Sequence, residues 1–214
     1  MTVAPLAAII SSYSLLAIPI LLLIQRPVRV DPTFRLLSIY AIVAFVVDRI
    51  PAFIVSSSSA ARVLSFAFTI FEYTVFTLFF YRFFQRRAYK RWVLAGSVIF
   101  LITLIFELQK FGIVYYSRLN AGTAVILIIS YSLLLFHEWL MDDPMELIHK
   151  KAAFWITLGC LVYLSGNFFF FITVGKQWEQ NWAMHAVSNL FKNLLFITAI
   201  VLQVFPATPP RKIV

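Results

Sequence analysis

The polar chemistry of this sequence is concentrated in one apolar stretch, residues 182–202, which carries His185, Ser188, Asn189, Lys192 and Asn193 in its first half. Positions i, i+3, i+4, i+7 and i+8 share one face of a helix, so the five form a single stripe. Leu190, Phe191, Leu194 and Leu195 leave the opposite face apolar enough for lipid. A lysine at that depth is costly unless it faces inward and meets an acid or a water-filled cavity. Glu72 is the natural partner. At about 1.5 Å per residue, Lys192 and Glu72 fall in one layer, roughly 15 Å below the same surface of their spans. Such a pair can fix helix register, form the charged floor of a pocket or take part in proton chemistry.

Other polar groups converge on the same half of the chain's spans. Tyr73, Tyr131 and Tyr163 come out near the depth of the pair, with Asn167 and Asn189 roughly 5 Å higher. His185 and Asp48-Arg49 lie higher still, with Glu107 near the end of its span, and Pro51 is expected to kink the helix just after Asp48-Arg49. Each has a plain alternative. The asparagines can be interhelical glue, Arg49 is close enough to the surface to snorkel, and His185 can be an ordinary interfacial residue. Polar groups converging from several spans nevertheless point to a pocket. The candidate ligand-binding set is Glu72, Lys192, Asn189, His185, Asn167, Asp48, Tyr73 and Tyr163. A second cluster, His137-Glu138, Asp142-Asp143, Glu146 and His149, has the residue types of a carboxylate–histidine metal site. Asp143 and Glu146 already make a helix cap, however, so no metal site is expected there.

The elements that position these residues follow from composition. Apolar residues make up 62% of the 214-residue chain, charged residues only 13%, and the mean hydropathy is +0.89. A soluble domain of that make-up would leave large apolar patches in water. An all-α, polytopic seven-transmembrane-helix bundle is expected, with spans near 4–24, 33–55, 61–84, 92–109, 120–140, 153–174 and 182–204. Each is close to the ~20 residues a bilayer requires. The first is too long for a signal-peptide core and lacks a basic flank, so it stays as a helix. With tails this short, no separate soluble domain is expected. Asp31-Pro32 and Asp143-Pro144, the latter with Glu146, carry helix-start chemistry. Ser56–Ser59 and Asn120 can cap the third and fifth spans. The single Cys160 excludes a disulfide framework, and no internal repeat suggests an inverted-repeat transporter.

Basic residues orient the helices. Arg26, Arg29, Arg35, Arg82, Arg86, Arg87, Lys90, Arg91, Lys150, Lys151, Arg211 and Lys212 fall on one side, and Arg62, Lys110, Arg118 and Lys176 on the other. That asymmetry predicts an outside amino terminus and a cytoplasmic carboxyl terminus. The net charge of +9 is thereby assigned to loops and not to nucleic-acid binding.

Three segments, Phe71 to Phe84, Phe154 to Asn167 and His185 to Ile200, resemble a family of small seven-helix bacterial membrane proteins whose genes lie beside sensor histidine kinases. That resemblance implies the bacterial inner membrane and a kinase as partner. Lys192 on the last helix and Glu72 on the third are also similar in position to the lysine and acid of microbial rhodopsins, which would imply retinal on Lys192. The rest departs: no arginine precedes Glu72 on its span, and the Trp-x-x-Tyr-Pro signature is absent from residues 153–174. Retinal is therefore the lesser alternative to no cofactor. The leading expectation is a sensory, receptor-like bundle that binds a small or lipidic ligand and signals through a partner. An enzyme or carrier using Glu72, Lys192 and His185 for proton chemistry is the alternative, opposed by the lack of a paired-acid or multi-histidine site. A structural subunit is the third. Oligomeric state is left open.

Overall fold

In the computed structural model, which describes residues 3–24, 31–54, 58–112, 118–142, 148–173 and 178–204, every described element is helical. The helices are α1 (Val3–Ser14), α2 (Ala17–Ile24), α3 (Pro32–Ile54), α4 (Ser58–Phe83), α5 (Arg87–Phe111), α6 (Arg118–Asp142), α7 (Ala152–Thr173) and α8 (Trp178–Val204), with a 3-10 turn at Ile148–Lys150. Each predicted span coincides with a helix except the first, which is split into α1 and α2. Among the described residues, four segments, Arg62–Phe83, Arg87–Lys110, Leu119–Asp142 and Met184–Gln203, are long and apolar enough to cross a membrane. Asp143, Pro144, Glu146, Ser56 and the basic residues Arg26, Arg29, Lys176, Arg211 and Lys212 lie outside the described residues.

The split in the first span has a local cause. Pro19 has no N–H to give the Leu15 carbonyl, and its ring crowds that carbonyl. The chain tightens instead, with Leu15 N–H on Ser12 O, Leu16 N–H on Tyr13 O and Ile18 N–H on Leu15 O. Ser11 O loses its helical donor and is taken over by Asn193 Nδ2 (2.9 Å) and Ser14 Oγ (2.6 Å). Thus Asn193, on the polar stripe of α8, serves the break in the neighbouring helix.

Two of the predicted starts can be checked. Asp31 caps α3 as expected, its Oδ1 accepting Thr33 N–H at 2.7 Å. The helix then runs past Pro51 to Ile54. Asn120 is not the cap of its helix, because α6 begins two residues earlier. Its N–H is instead held by Glu107 Oε1 of α5 at 2.7 Å, a carboxylate placed against the positive end of a helix.

Packing closes most of the helices into a ring. α8 packs most extensively on α7 and then on α1; α7 packs on α6, α6 on α4 and α4 on α3, which returns to α1 and α2. α5 stands outside the ring against α4 and α6. Its outward face (Leu94, Val98, Ile99, Leu101, Ile102, Ile105) is exposed, each residue about half or more, as are Leu133 and Leu140 on α6 and Phe191 and Leu194 on α8. The α7–α8 seam is close because Gly166 faces Ser188 and Gly159 faces Phe196. A Cβ on Gly166 would sit 2.7 Å from Ser188 Cβ, and one on Gly159 would sit 2.8 Å from Phe196 Cε1. Small residues at a helix–helix contact permit such approach.

Candidate functional site: a charged cavity inside the helix ring

The ring encloses a cavity of about 410 Å³, lined from α1, α3, α4, α6, α7 and α8. All eight residues singled out from the sequence line it: Asp48 on α3, Glu72 and Tyr73 on α4, Tyr163 and Asn167 on α7, and His185, Asn189 and Lys192 on α8. The lining lies toward the starts of α4, α6 and α8, the ends of α3 and α7, and the end of α1 at the break in the first span, so the cavity belongs to one half of the bundle. Its two walls differ. Ala121, Ala124, Val125 and Ile128 from α6 are apolar, joined by Phe68 of α4 beside its polar Ser65 and Thr69, whereas α7 and α8 present Asn167, His185 and Asn189.

Lys192 is 1% exposed and sets the floor. Its Nζ donates to Tyr40 Oη at 2.7 Å, and Tyr40 Oη donates to Glu72 Oε1 at 2.7 Å. The expected direct contact is thus replaced by a relay, lysine to tyrosine to glutamate, across α8, α3 and α4. The one hydroxyl accepts a hydrogen bond from the ammonium and donates one to the carboxylate, so each charge meets a polar partner without touching the other. Lys192 Nζ also stands 4.0 Å from the centroid of the Tyr163 ring and 5.0 Å from that of Tyr40, within cation–π range. Tyr40 is fully buried among Phe68, Phe71, Phe76 and Phe196.

Tyr40 is the residue that sequence reasoning missed. Its signal was present: Tyr40, Ala44 and Asp48 are spaced four apart and therefore share a face of α3. Ser11, Ser12 and Arg49 also line the cavity without having been predicted to.

Above the floor, His185 Nδ1–H donates to Asn167 Oδ1 at 2.7 Å, joining α8 to α7. The asparagine layer is therefore built differently from expectation. Asn167 pairs with the histidine, while Asn189, 7% exposed, has an Oδ1 with no hydrogen-bond partner among the described residues. Asp48 Oδ2 accepts from Ser12 Oγ at 3.2 Å, linking α3 to α1. Tyr73 lines the cavity, but its hydroxyl points to Ser97 Oγ and Tyr131 Oη (both 3.4 Å) between α4, α5 and α6. Tyr131 Oη in turn donates to Val93 O at 3.2 Å, so both hydroxyls knit helices together.

Of the second cluster, at the opposite end, His137, Glu138 and Asp142 take structural partners. Glu138 is fully buried, and its carboxylate accepts from the N–H groups of Gln85 (3.2 Å) and Arg86 (2.6 Å) just before α5. His137 Nδ1 meets Tyr89 Oη at 2.9 Å. Asp142 takes the Arg86 guanidinium, Nε at 3.1 Å and Nη2 in an ion pair, which raises the arginine's pKa above its ordinary value. Asp143 and Glu146 are outside the described residues.

Fold and site together define an all-helical bundle with membrane-length apolar helices around a charged internal cavity. Comparison of the chain with protein-family models, with curated proteins and with solved structures gives no match.

Proposed function

We propose that this chain is a multi-pass, seven-span membrane protein that takes up a small, partly polar molecule in the cavity of its helix ring, in the manner of a receptor. The observation that carries the reading is the Lys192–Tyr40–Glu72 relay on the floor of a cavity of about 410 Å³. Charges at membrane depth are expensive, and they persist where they serve a site. The volume falls within the range of roughly 300–1,000 Å³ typical of small-molecule pockets. The apolar exterior of α5, α6 and α8 supports a lipid environment. The twelve-to-four split of basic residues along the sequence, with Arg35, Arg82, Arg86, Arg87, Lys90, Arg91, Lys150 and Lys151 among the described residues at the end away from the cavity and Arg62, Lys110 and Arg118 at the cavity end, supports a cytoplasmic carboxyl terminus and a cavity facing outward. The family resemblance adds a bacterial plasma membrane and a histidine kinase as the output partner, which co-purification would test.

Native mass spectrometry of the gently solubilised protein is the direct experiment. A bound non-protein mass in wild type, lost in Lys192→Met, is expected. No retained mass under any solubilisation, with no saturable binding of added amphiphiles, would overturn the reading. The continuity of the relay favours a second reading, a proton-coupled carrier, because the same hydroxyl joins a cation to a carboxylate. Proton flux in vesicles that is abolished by Tyr40→Phe would select it.

A further inference from the structure

Four ionisable side chains whose charges bear on the cavity, Lys192, Glu72, Asp48 and Arg49, differ in how their polar atoms are used. Lys192 and Glu72 share Tyr40 Oη, and Asp48 accepts from Ser12. Arg49 is the exception. Its Nε and Nη2 are buried and have no hydrogen-bond partner among the described residues. Its neighbours are aromatic: the guanidinium lies 4.6 Å from the Tyr13 ring centroid and 5.8 Å from that of Phe45. The adjacent Asp48 does not approach it within ion-pair distance.

Buried donors left unmade are costly, and more so when they carry charge. The two rings hold the guanidinium in place through cation–π contact but accept no N–H bond in its plane. A guanidinium presents a planar fork of donors that fits a carboxylate or phosphate. Along α3, Arg49 is nine residues from Tyr40, roughly 13 Å at ~1.5 Å per residue. The apolar wall of Phe68, Ala124, Val125 and Ile128 borders the same cavity. We infer that the cavity selects a ligand bearing an oxyanion, a carboxylate or phosphate, that seats on Arg49 while its apolar body lies against α4 and α6 toward the relay. This rests on the cavity being a ligand site and specifies the chemistry that site takes.

The test uses the full chain in nanodiscs and amphiphiles sharing one twelve-carbon tail: laurate, dodecyl phosphate, dodecyltrimethylammonium and dodecyl maltoside. Acetate and inorganic phosphate serve as tail-less competitors. Laurate or dodecyl phosphate is expected to bind at least about tenfold more tightly than the cationic and neutral members, a difference of about 1.4 kcal/mol. Arg49→Gln should erase that preference while dodecyl maltoside still binds as to wild type, and Arg49→Lys, which keeps charge but loses the fork, should retain part of it. Saturable binding without headgroup preference in wild type would overturn this inference and leave the ligand-site reading standing. Competition by acetate or phosphate as strong as by the amphiphiles would overturn the apolar-body part and identify a free anion as the ligand. Absence of saturable binding by any member would overturn both readings. If Arg49→Gln does not fold, the wild-type panel and Arg49→Lys decide the matter.

Discussion

At the basic end of the bundle, Glu138 holds two backbone N–H groups ahead of α5, Asp142 holds Arg86, and His137 meets Tyr89. At the cavity end, Lys192 reaches Glu72 through Tyr40, and among the described residues the Asn189 carbonyl and the Arg49 Nε and Nη2 donors find no partner. Both ends collect acids, bases and histidines, so residue type alone does not separate them. What separates them is saturation. One end uses its carboxylates to close a turn between helices, and the other leaves buried polar atoms of cavity-lining residues without partners among the described residues. A residue inventory therefore becomes a functional argument only when the hydrogen bonds are accounted for atom by atom.

The largest effect should come from the cavity floor. Lys192→Met leaves Glu72 and Tyr40 without the cation and should destabilise the solubilised protein by about 3–5 kcal/mol, the loss typical of breaking a buried charged network. Adding Glu72→Gln should restore part of that in denaturant or thermal unfolding. If the double variant proves less stable than the single, the two charges are not coupled through Tyr40.

Next in size is the wall that carries the polar stripe. Gly166→Ala drives a methyl group into Ser188 and should cost about 1–3 kcal/mol by overpacking α7 on α8. Ser188→Gly in the same chain should recover most of the loss. Ligand affinity should fall with Gly166→Ala, because Asn167 and His185 flank that contact; an unchanged affinity would separate the seam from the site.

How much of this was legible beforehand depended on period and local chemistry. The α8 stripe, the depth match of Glu72 and Lys192 and the Asp31 cap could all be read because each rests on spacing along one helix or on neighbouring residues. Tyr40 escaped because a tyrosine in an aromatic-rich span looks like core, and only the reach of its hydroxyl from α3 to both Lys192 on α8 and Glu72 on α4 makes it a bridge. The break at Leu15-Leu16 was foreshadowed by Pro19, but its rescue by Asn193 is a tertiary contact across 182 residues of sequence. The role of Asn120 was misjudged because Glu107 from the preceding helix supplies the acceptor there.

The basic end should give the smallest responses, and the contrast sharpens there. Glu138→Ala strands two backbone donors and should cost about 1–3 kcal/mol, while Glu138→Gln keeps an acceptor and should cost less. Asp142→Asn, at an exposed pair, should leave unfolding unchanged within error. None of the three should alter ligand binding, and a binding defect in Glu138→Gln would mean that the two ends are coupled.

The most direct test of the central claim, an outward-facing cavity with the relay on its floor, is thiol labelling in sealed vesicles. Cys160 is the single native cysteine and is buried, so Cys160→Ser gives a silent background. Asn189→Cys then places one thiol on the cavity wall. A membrane-impermeant maleimide should modify it from the side opposite the carboxyl terminus, and added laurate should slow that modification. Labelling from the carboxyl-terminal side alone, or none from either side in folded protein, would contradict the account.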